Sequence, residues 1–226
     1  MPIRTETKKI IATDWLKAFP ELSGYAQNKF YRIAGCVLLG LELIKLPRSE
    51  EYRPHFVMYP LWEENPDKCF TAIILVQEFY TKRNQQFSIP YENHTLIFNE
   101  VLISVGEQKP ILSYKEISIG HLLGVMESYA RKAPLSATTN SFHQAKFREA
   151  ILKINLYEGR KETEALYREI VGINWDKIHF KAYGVDVDDW LQKVHECINR
   201  REDFLRQIEQ NKLDKKFGRL SWSYRA

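Results

Sequence analysis

Residues 29–62 read KFYRIAGCVLLGLELIKLPRSEEYRPHFVMYPLW and contain the strongest β-sheet pattern of this 226-residue chain. Over residues 30–45 two sets of side chains alternate, and the set that begins at Tyr31 is the more uniformly apolar one. Such alternation is typical of a strand with one face in a core and the other partly covered. A polar turn at residues 46–51 separates this strand from residues 52–62, so the pattern predicts two long strands folded back on each other.

Short elements on both sides of this hairpin extend the pattern. Residues 5–19 have apolar side chains near helical spacing and stop at Pro20, which predicts a short helix before the sheet. Residues 69–80 are rich in β-branched and aromatic side chains and predict a third strand, and residues 87–90 predict a short fourth one. Because the connections are too short for parallel crossovers, we expect an antiparallel meander.

From residue 91 onwards apolar residues recur with helical periodicity, and the longest such pattern covers residues 185–212. Strands followed by helices are typical of the α+β class. The sequence therefore predicts a single α+β domain over residues 1–226, with an N-terminal antiparallel β-meander of three to four strands preceded by a short helix, followed by a helical C-terminal half. Residues 1–90 are its strand-rich part, residues 91–212 are helical, and residues 213–226 form a basic tail.

The composition is that of a soluble globular protein, with 44% hydrophobic and 27% charged residues. The longest apolar run, residues 33–41, is far shorter than the roughly 20 residues that a bilayer crossing needs, so no membrane association is expected. The N-terminus lacks the apolar segment of a secretory signal, which favours a cytoplasmic location.

The net charge of +4 lies in the C-terminal tail. Residues 212–226 contain five basic residues and one acidic residue, which leaves the rest of the chain neutral. A tail of this kind suits contact with nucleic-acid phosphate or with an acidic partner, and a solvated end that limits aggregation is the alternative. Trp222 and Tyr224 indicate that part of the tail docks, because exposed aromatic residues usually make contacts.

No residue pattern matches a catalytic or metal site. Cys36, Cys69 and Cys197 are widely spaced and form no CxxC pair, which favours reduced thiols over disulfides or structural zinc. An acidic cluster at residues 186–189 lies at the start of the longest helical pattern, so we interpret its aspartates as helix caps rather than calcium ligands. We therefore expect no cofactor and no bound metal.

Glu107 and Lys109, with Glu92 and Glu100 upstream, suggest a different function. Metal-dependent nucleases use carboxylates to hold Mg²⁺ and a lysine to steady the attacking water. The glycine and proline that flank this Glu-x-Lys triplet indicate a loop, whereas such nucleases carry the triplet on a strand. A metal-dependent nuclease, or another nucleic-acid-binding protein, is therefore the alternative to a non-enzymatic function.

Aromatic side chains of the hairpin are candidates for a surface that binds a partner. Tyrosine and tryptophan dominate the hot spots of protein interfaces, and arginine often accompanies them. The candidate partner-binding residues are Tyr31, Tyr52, Arg53, Tyr59 and Trp62. Core packing is the alternative for each aromatic ring, so the prediction depends on which rings are exposed.

Within residues 15–80 the chain has a helix, a strand of the form FYRI-x-G-x-V, a polar turn and a second strand that ends in YPLW. The residues that carry this arrangement are Phe30, Tyr31, Arg32, Val37, Tyr52, Phe56, Tyr59 and Pro60. The arrangement resembles a group of uncharacterised bacterial α+β domains, some of which accompany polymorphic toxins as immunity proteins. The neutral body departs from the acidic charge of many immunity proteins against nucleases. The resemblance implies a non-enzymatic cytoplasmic protein that binds a protein partner, as a toxin inhibitor does.

Overall fold

The computed structural model describes residues 5–223 and has the α+β fold that the sequence predicts. Helix α1 (Thr5–Ala18) comes first, as its apolar spacing indicates. The strands are β1 (Ser23–Ala26), β2 (Lys29–Ala34), β3 (Val37–Lys45), β4 (Glu51–Pro60), β5 (Leu75–Glu78), β6 (Ile89–Pro90) and β7 (Ser221–Trp222). Strands β1 to β5 form an antiparallel sheet in chain order, β6 pairs with β4, and β7 runs parallel to β2.

Helices make up most of the chain after the sheet, and the predicted helical C-terminal half is confirmed. The remaining helices are α2 (Pro66–Thr71), α3 (His94–Gln108), α4 (Ile119–Ala130), α5 (Phe142–Glu158), α6 (Glu162–Gly172), α7 (Lys177–Ala182), α8 (Val187–Asn199) and α9 (Arg201–Leu213). No helix within residues 5–223 is both long and apolar enough to cross a membrane.

The first predicted strand of the hairpin is divided in two. Gly35 has a φ of 59°, in the left-handed region that glycine adopts without steric cost. The chain reverses at this residue, and Ala34 then lies opposite Val37 in an antiparallel pair. The prediction of one continuous strand over residues 30–45 is therefore wrong. The residues of the Gly-Cys turn fit the alternating pattern, so the pattern does not reveal the turn.

The predicted third strand is correct only in its second half. Asn65 accepts a hydrogen bond from the backbone N–H of Lys68 at 3.0 Å, and Pro66 occupies the first helical turn. Both features favour the start of a helix, so residue 69 lies in α2. Strand β5 begins only at Leu75.

The longest helical pattern forms two helices, α8 and α9, rather than one. The chain leaves helical geometry at Arg200, which has φ −108° and ψ 42°. The predicted cap at its start is confirmed. The carboxylate of Asp186 accepts hydrogen bonds from the backbone N–H groups of Asp188 at 2.8 Å and Asp189 at 3.2 Å.

The two faces of the sheet are covered by segments far apart in the sequence. On one face, Trp15 of α1 donates a hydrogen bond to the Tyr52 hydroxyl at 3.3 Å. On the other face, the ring of Tyr31 contacts Phe70 of α2, which in turn contacts Phe217 near the C-terminus. Both tyrosines are fully buried between these layers.

A second group of buried apolar residues lies among α5, α6, α7 and α8. Its members are Ala145, Leu152, Ile170, Trp175, Phe180, Val187, Trp190 and Val194. Helix α5 belongs to both cores, because its residues Phe147 and Ile154 pack with the sheet. This helix therefore joins the C-terminal helices to the sheet.

The described part of the basic tail packs on the protein. Phe217 is fully buried, and β7 pairs with β2. The ammonium group of Lys212 lies 2.7 Å from Glu209, and that of Lys216 lies 2.5 Å from Asp67. Two of the basic groups expected to be available for phosphate are thus paired within the chain. Tyr224 and Arg225 lie outside the described residues.

Candidate functional site

Two of the predicted partner-binding tyrosines surround a buried carboxylate. Tyr59 donates a hydrogen bond to Glu42 at 2.8 Å, Tyr31 donates to the same oxygen, and Lys29 lies 3.2 Å from it. Burial, followed by the hydrogen bonds to Glu42, raises the pKa of both tyrosines above their usual range. These hydroxyls therefore serve an internal network and are not exposed to a partner.

The third predicted tyrosine also lies in the interior. Tyr52 shares a hydrogen bond of 2.7 Å with Nδ1 of His94, and Nε2 of His94 lies 3.1 Å from the carboxylate of Asp14. Burial lowers the pKa of His94, and Asp14 acts in the opposite direction. The prediction of an exposed aromatic surface is thus wrong for Tyr31, Tyr52 and Tyr59, because helices on both faces of the sheet cover them.

The remaining two predicted residues are half-buried. A guanidinium nitrogen of Arg53 donates a hydrogen bond to the side chain of Gln86. Trp62 packs against Phe204 with ring centroids 6.2 Å apart, and the ammonium nitrogen of Lys153 lies 5.7 Å from its centroid. Of the five predicted residues, Trp62 lines the large cleft described below.

The residues of the nuclease hypothesis are not brought together. Glu100 and Glu107 are exposed on α3, whereas Lys109 is buried with its ammonium nitrogen 5.3 Å from the ring centroid of Phe56. Burial lowers the pKa of Lys109 to about 8. Within residues 5–223 no group of three or more histidine, cysteine, aspartate or glutamate residues is arranged to hold a metal ion.

A cleft of about 780 Å³ lies between one edge of the sheet and helix α5. Residues 71–76, which lead into β5, form one wall, and α5 forms the opposite wall. Tyr129 of α4, residues 134–141 and the start of α7 complete it. Ligand pockets in proteins commonly have volumes of about 300 to 1,000 Å³ and mainly apolar linings. We therefore take this cleft as the candidate functional site.

Strand β5 presents an edge of the sheet to this cleft. The sheet ends at β5, which has β4 on one side and no second strand on the other within residues 5–223. The Tyr129 hydroxyl lies against the backbone of Val76 at this edge. The side chains of Ile73 and Val76 are each 40% exposed. Apolar side chains are thus accessible at this edge of the sheet.

A group of charged side chains forms the wall on α5. Glu149 accepts hydrogen bonds from Lys146 at 2.7 Å, from Lys153 at 2.6 Å and from the indole N–H of Trp190 at 2.8 Å. Burial alone would raise the pKa of Glu149, but Lys153 and Lys146 outweigh it and lower this pKa to about 2. The carboxylate therefore stays ionised at neutral pH and holds both lysines in place.

Aromatic and imidazole rings connect α5 to α7 at the cleft. Phe142 stacks on Tyr183 with centroids 4.7 Å apart, and the Tyr183 hydroxyl lies 2.8 Å from Nε2 of His143. The backbone N–H of Phe142 donates to Nδ1 of His179 at 3.0 Å, and Asp176 caps α7 through the N–H of His179 at 2.9 Å. These contacts fix the first turn of α5 against the start of α7.

Sequence reasoning did not identify the residues of this cleft. The signal for its charged group was present, because residues 146, 149 and 153 are spaced three and four positions apart and face one side of a helix. No local pattern relates this helix face to residues 71–76, which are about 70 positions away.

No protein-family model, curated protein or solved structure matches this chain.

Proposed function

We propose that this protein acts by binding another protein, and that the cleft between β5 and α5 receives an extended segment of that partner. The observation that carries the proposal is the edge of β5, which pairs with no second strand within residues 5–223 and borders an apolar cleft. A toxin inhibitor is the form of this function that the resemblance to immunity proteins implies.

An extended polypeptide fits an open sheet edge better than other ligands do. Such a segment adds a strand to the sheet, so that backbone hydrogen bonds supply affinity and pockets for alternate side chains supply specificity. Residues 72–76 would contact roughly 16 Å of it, at about 3.3 Å per residue. The Tyr129 hydroxyl, which lies against the Val76 backbone, would be replaced by a backbone group of the incoming segment.

The apolar walls of the cleft supply the pockets. Ile73 and Val76 lie on the sheet side, and Leu135 and Phe147 line the other parts. Each Å² of apolar surface that is removed from water on binding contributes about 25 cal/mol of favourable free energy. Trp62, which also lines the cleft, adds the kind of ring that often forms an interface hot spot. A segment with alternating apolar side chains therefore suits this site.

The test is a selection from a library of random peptides displayed on phage, with the full chain immobilised. We expect enrichment of peptides with alternating apolar residues. Their affinity should fall at least tenfold in Ile73→Asp, because the charge lies in the cleft. Ile103→Asp is the matched control, since Ile103 is exposed on α3, away from the cleft.

Thermal melting of both variants separates loss of binding from loss of folding. Equal loss of affinity in Ile73→Asp and Ile103→Asp would contradict the proposal. So would a failure to enrich any peptide that depends on Ile73.

A further inference from the structure

The N-terminus of helix α5 is connected to α7 by an imidazole ring. The backbone N–H of Phe142, the first residue of α5, donates a hydrogen bond to Nδ1 of His179 at 3.0 Å. The first N–H groups of a helix have no partner within that helix, so an acceptor from elsewhere must satisfy them. Here the acceptor belongs to α7, 37 residues further along the chain. The bond therefore links two helices at the cleft, which both residues line.

This hydrogen bond requires one protonation state of His179. A ring nitrogen accepts a hydrogen bond through its lone pair, so Nδ1 carries no proton and the neutral ring has its proton on Nε2. A second proton can bind only at Nδ1, and an imidazolium has no acceptor left. Two N–H groups would then face each other where the N–H of Phe142 now meets Nδ1. The bond therefore exists only while the ring is neutral.

The groups around the His179 ring differ in their effect on a positive charge. The ring of His143 on α5 lies 5.7 Å away, so a proton on each ring would place two like charges together. Lys146 and the positive end of the α5 dipole also oppose a cation on this wall of the cleft. Asp176 favours one, but its carboxylate already accepts the backbone N–H of His179. Tyr183 contacts both rings and hydrogen-bonds with His143.

Other contacts hold α7 on the protein when this bond is lost. Phe180 is fully buried among the residues of the second core. Lys177 lies 3.8 Å from Asp188 of α8, and both of these side chains are exposed. Loss of the bond therefore frees the His179 ring and the first turn of α5 without detaching α7.

We propose that the hydrogen bond between Phe142 and His179 is a pH-sensitive latch at the cleft. When the pH falls, a proton from the solvent binds Nδ1, the acceptor becomes a donor, and the ring leaves the N–H of Phe142. Imidazole is the side chain that ordinarily changes its charge between pH 5 and 8, so the latch would respond in that range. The latch belongs to the free protein, and it does not rest on the proposed function.

NMR spectroscopy of the full chain tests this proposal. At pH 7.5 the ¹⁵N signals of the His179 ring should show the proton on Nε2. Between pH 7.5 and pH 5 the hydrogen-exchange protection factor of the Phe142 amide should fall about tenfold, as the loss of one hydrogen bond predicts. The amide of Gln144 is the internal reference, because it donates at 3.2 Å to the hydroxyl of Ser141, which does not titrate. Its protection factor should change less than about twofold.

Two variants separate the latch from other effects of pH. His179→Asn offers an amide oxygen as acceptor, which takes up no proton in this range, so the Phe142 amide should stay protected at both pH values. His195→Asn is the matched control. His195 is exposed on α8 and contacts the side chain of Asn199 instead of a backbone N–H, so the fall in protection should be that of the wild type. Thermal melting checks that both variants are folded.

Three results would overturn the proposal. The first is a proton on Nδ1 of His179 at pH 7.5. The second is a fall in protection of the Phe142 amide that persists in His179→Asn. The third is a parallel fall at Phe142 and Gln144, because the whole first turn of α5 would then open independently of the imidazole.

Discussion

Tyr52 and His94 are 42 residues apart in the sequence and share a hydrogen bond of 2.7 Å in the interior of the protein. Trp15 donates to the same tyrosine hydroxyl, and His94 also contacts Asp14. Four side chains thus connect α1, β4 and α3, and all of them except the partly exposed Asp14 are buried. Buried networks of this kind stabilise one arrangement strongly, because each unpaired member would carry a large desolvation cost.

The buried imidazole of His94 predicts that stability decreases on acidification. Burial lowers its pKa from 6.5, so the unfolded chain binds a proton more readily than the folded one. The stabilisation by the neutral His94 imidazole is therefore complete above pH 6.5, and it is lost as the pH falls towards the pKa of the folded state. The free energy of unfolding, measured in urea at pH 7.5 and at pH 5, should decrease less between these pH values for His94→Gln than for the wild type. An equal loss in both proteins would contradict this role.

Replacing Lys109 by methionine should stabilise the protein. Its ammonium group is buried over Phe56 without a carboxylate partner in the described chain, and burial lowers its pKa from 10.5 to about 8. We expect Lys109→Met to add about 1 to 3 kcal/mol to the free energy of unfolding at pH 7, since the cost of burying the charge disappears.

The pH dependence distinguishes this effect from a gain in packing. The advantage of Lys109→Met should shrink between pH 8 and pH 10.5, where the wild type gains stability because its folded state no longer has to hold the proton. Lys115→Met, at an exposed position, is the matched control and should change stability by less than about 0.5 kcal/mol. A constant advantage across this range would show that packing alone is responsible.

Gly40 is predicted to tolerate no side chain. A Cβ atom at this position would lie 1.9 Å from the backbone oxygen of Phe30 on the neighbouring strand, so the pairing of β2 and β3 would have to change. We expect Gly40→Ala to cost about 3 kcal/mol or more, or to prevent folding. Gly124 lies at an exposed position of α4, where an added Cβ atom would meet no atom within 4 Å. We expect Gly124→Ala to stabilise the protein by up to about 1 kcal/mol. Chemical denaturation of both variants measures this difference. Similar changes in the free energy of unfolding for the two variants would contradict the prediction.

Glu149 should stabilise the junction of α5 with the C-terminal helices. Glu149→Gln removes the charge that balances Lys153, whose side chain is 15% exposed, so we expect a loss of about 3 kcal/mol. The double variant Glu149→Gln with Lys153→Met should recover part of that loss. In the wild type, the stabilisation should be complete above pH 4.5 and lost as the pH falls towards 2, because the folded pKa is depressed. Absence of recovery in the double variant would argue against the ion pair.

Local patterns predicted the parts of the fold that depend on neighbouring residues. The helix over α1, the cap at Asp186 and the order of strands before helices follow from spacing and from side chains within a few positions. The errors at Gly35 and Arg200 have one cause. A single residue with unusual backbone angles interrupts a periodic pattern, and the pattern itself continues across it.

The exposure of the aromatic residues could not be predicted locally. Tyr31 and Tyr52 point to opposite faces of the sheet, and each is covered by a segment far along the chain, Phe70 and Phe217 for one and Trp15 for the other. An alternating pattern specifies that a strand has two faces, but it does not specify what packs on them. The candidate site therefore lies in the cleft and not on the hairpin.

By itself, the amino-acid sequence determined the α+β class, the start and end of several helices and the absence of a long apolar span. These properties depend on hydrogen bonds and periodicity within a few residues. Only the tertiary structure decided that β5 lies at an edge of the sheet and that Lys146 faces it across a cleft. The physical reason is that packing brings together surfaces some 70 residues apart, and no local pattern encodes that distance.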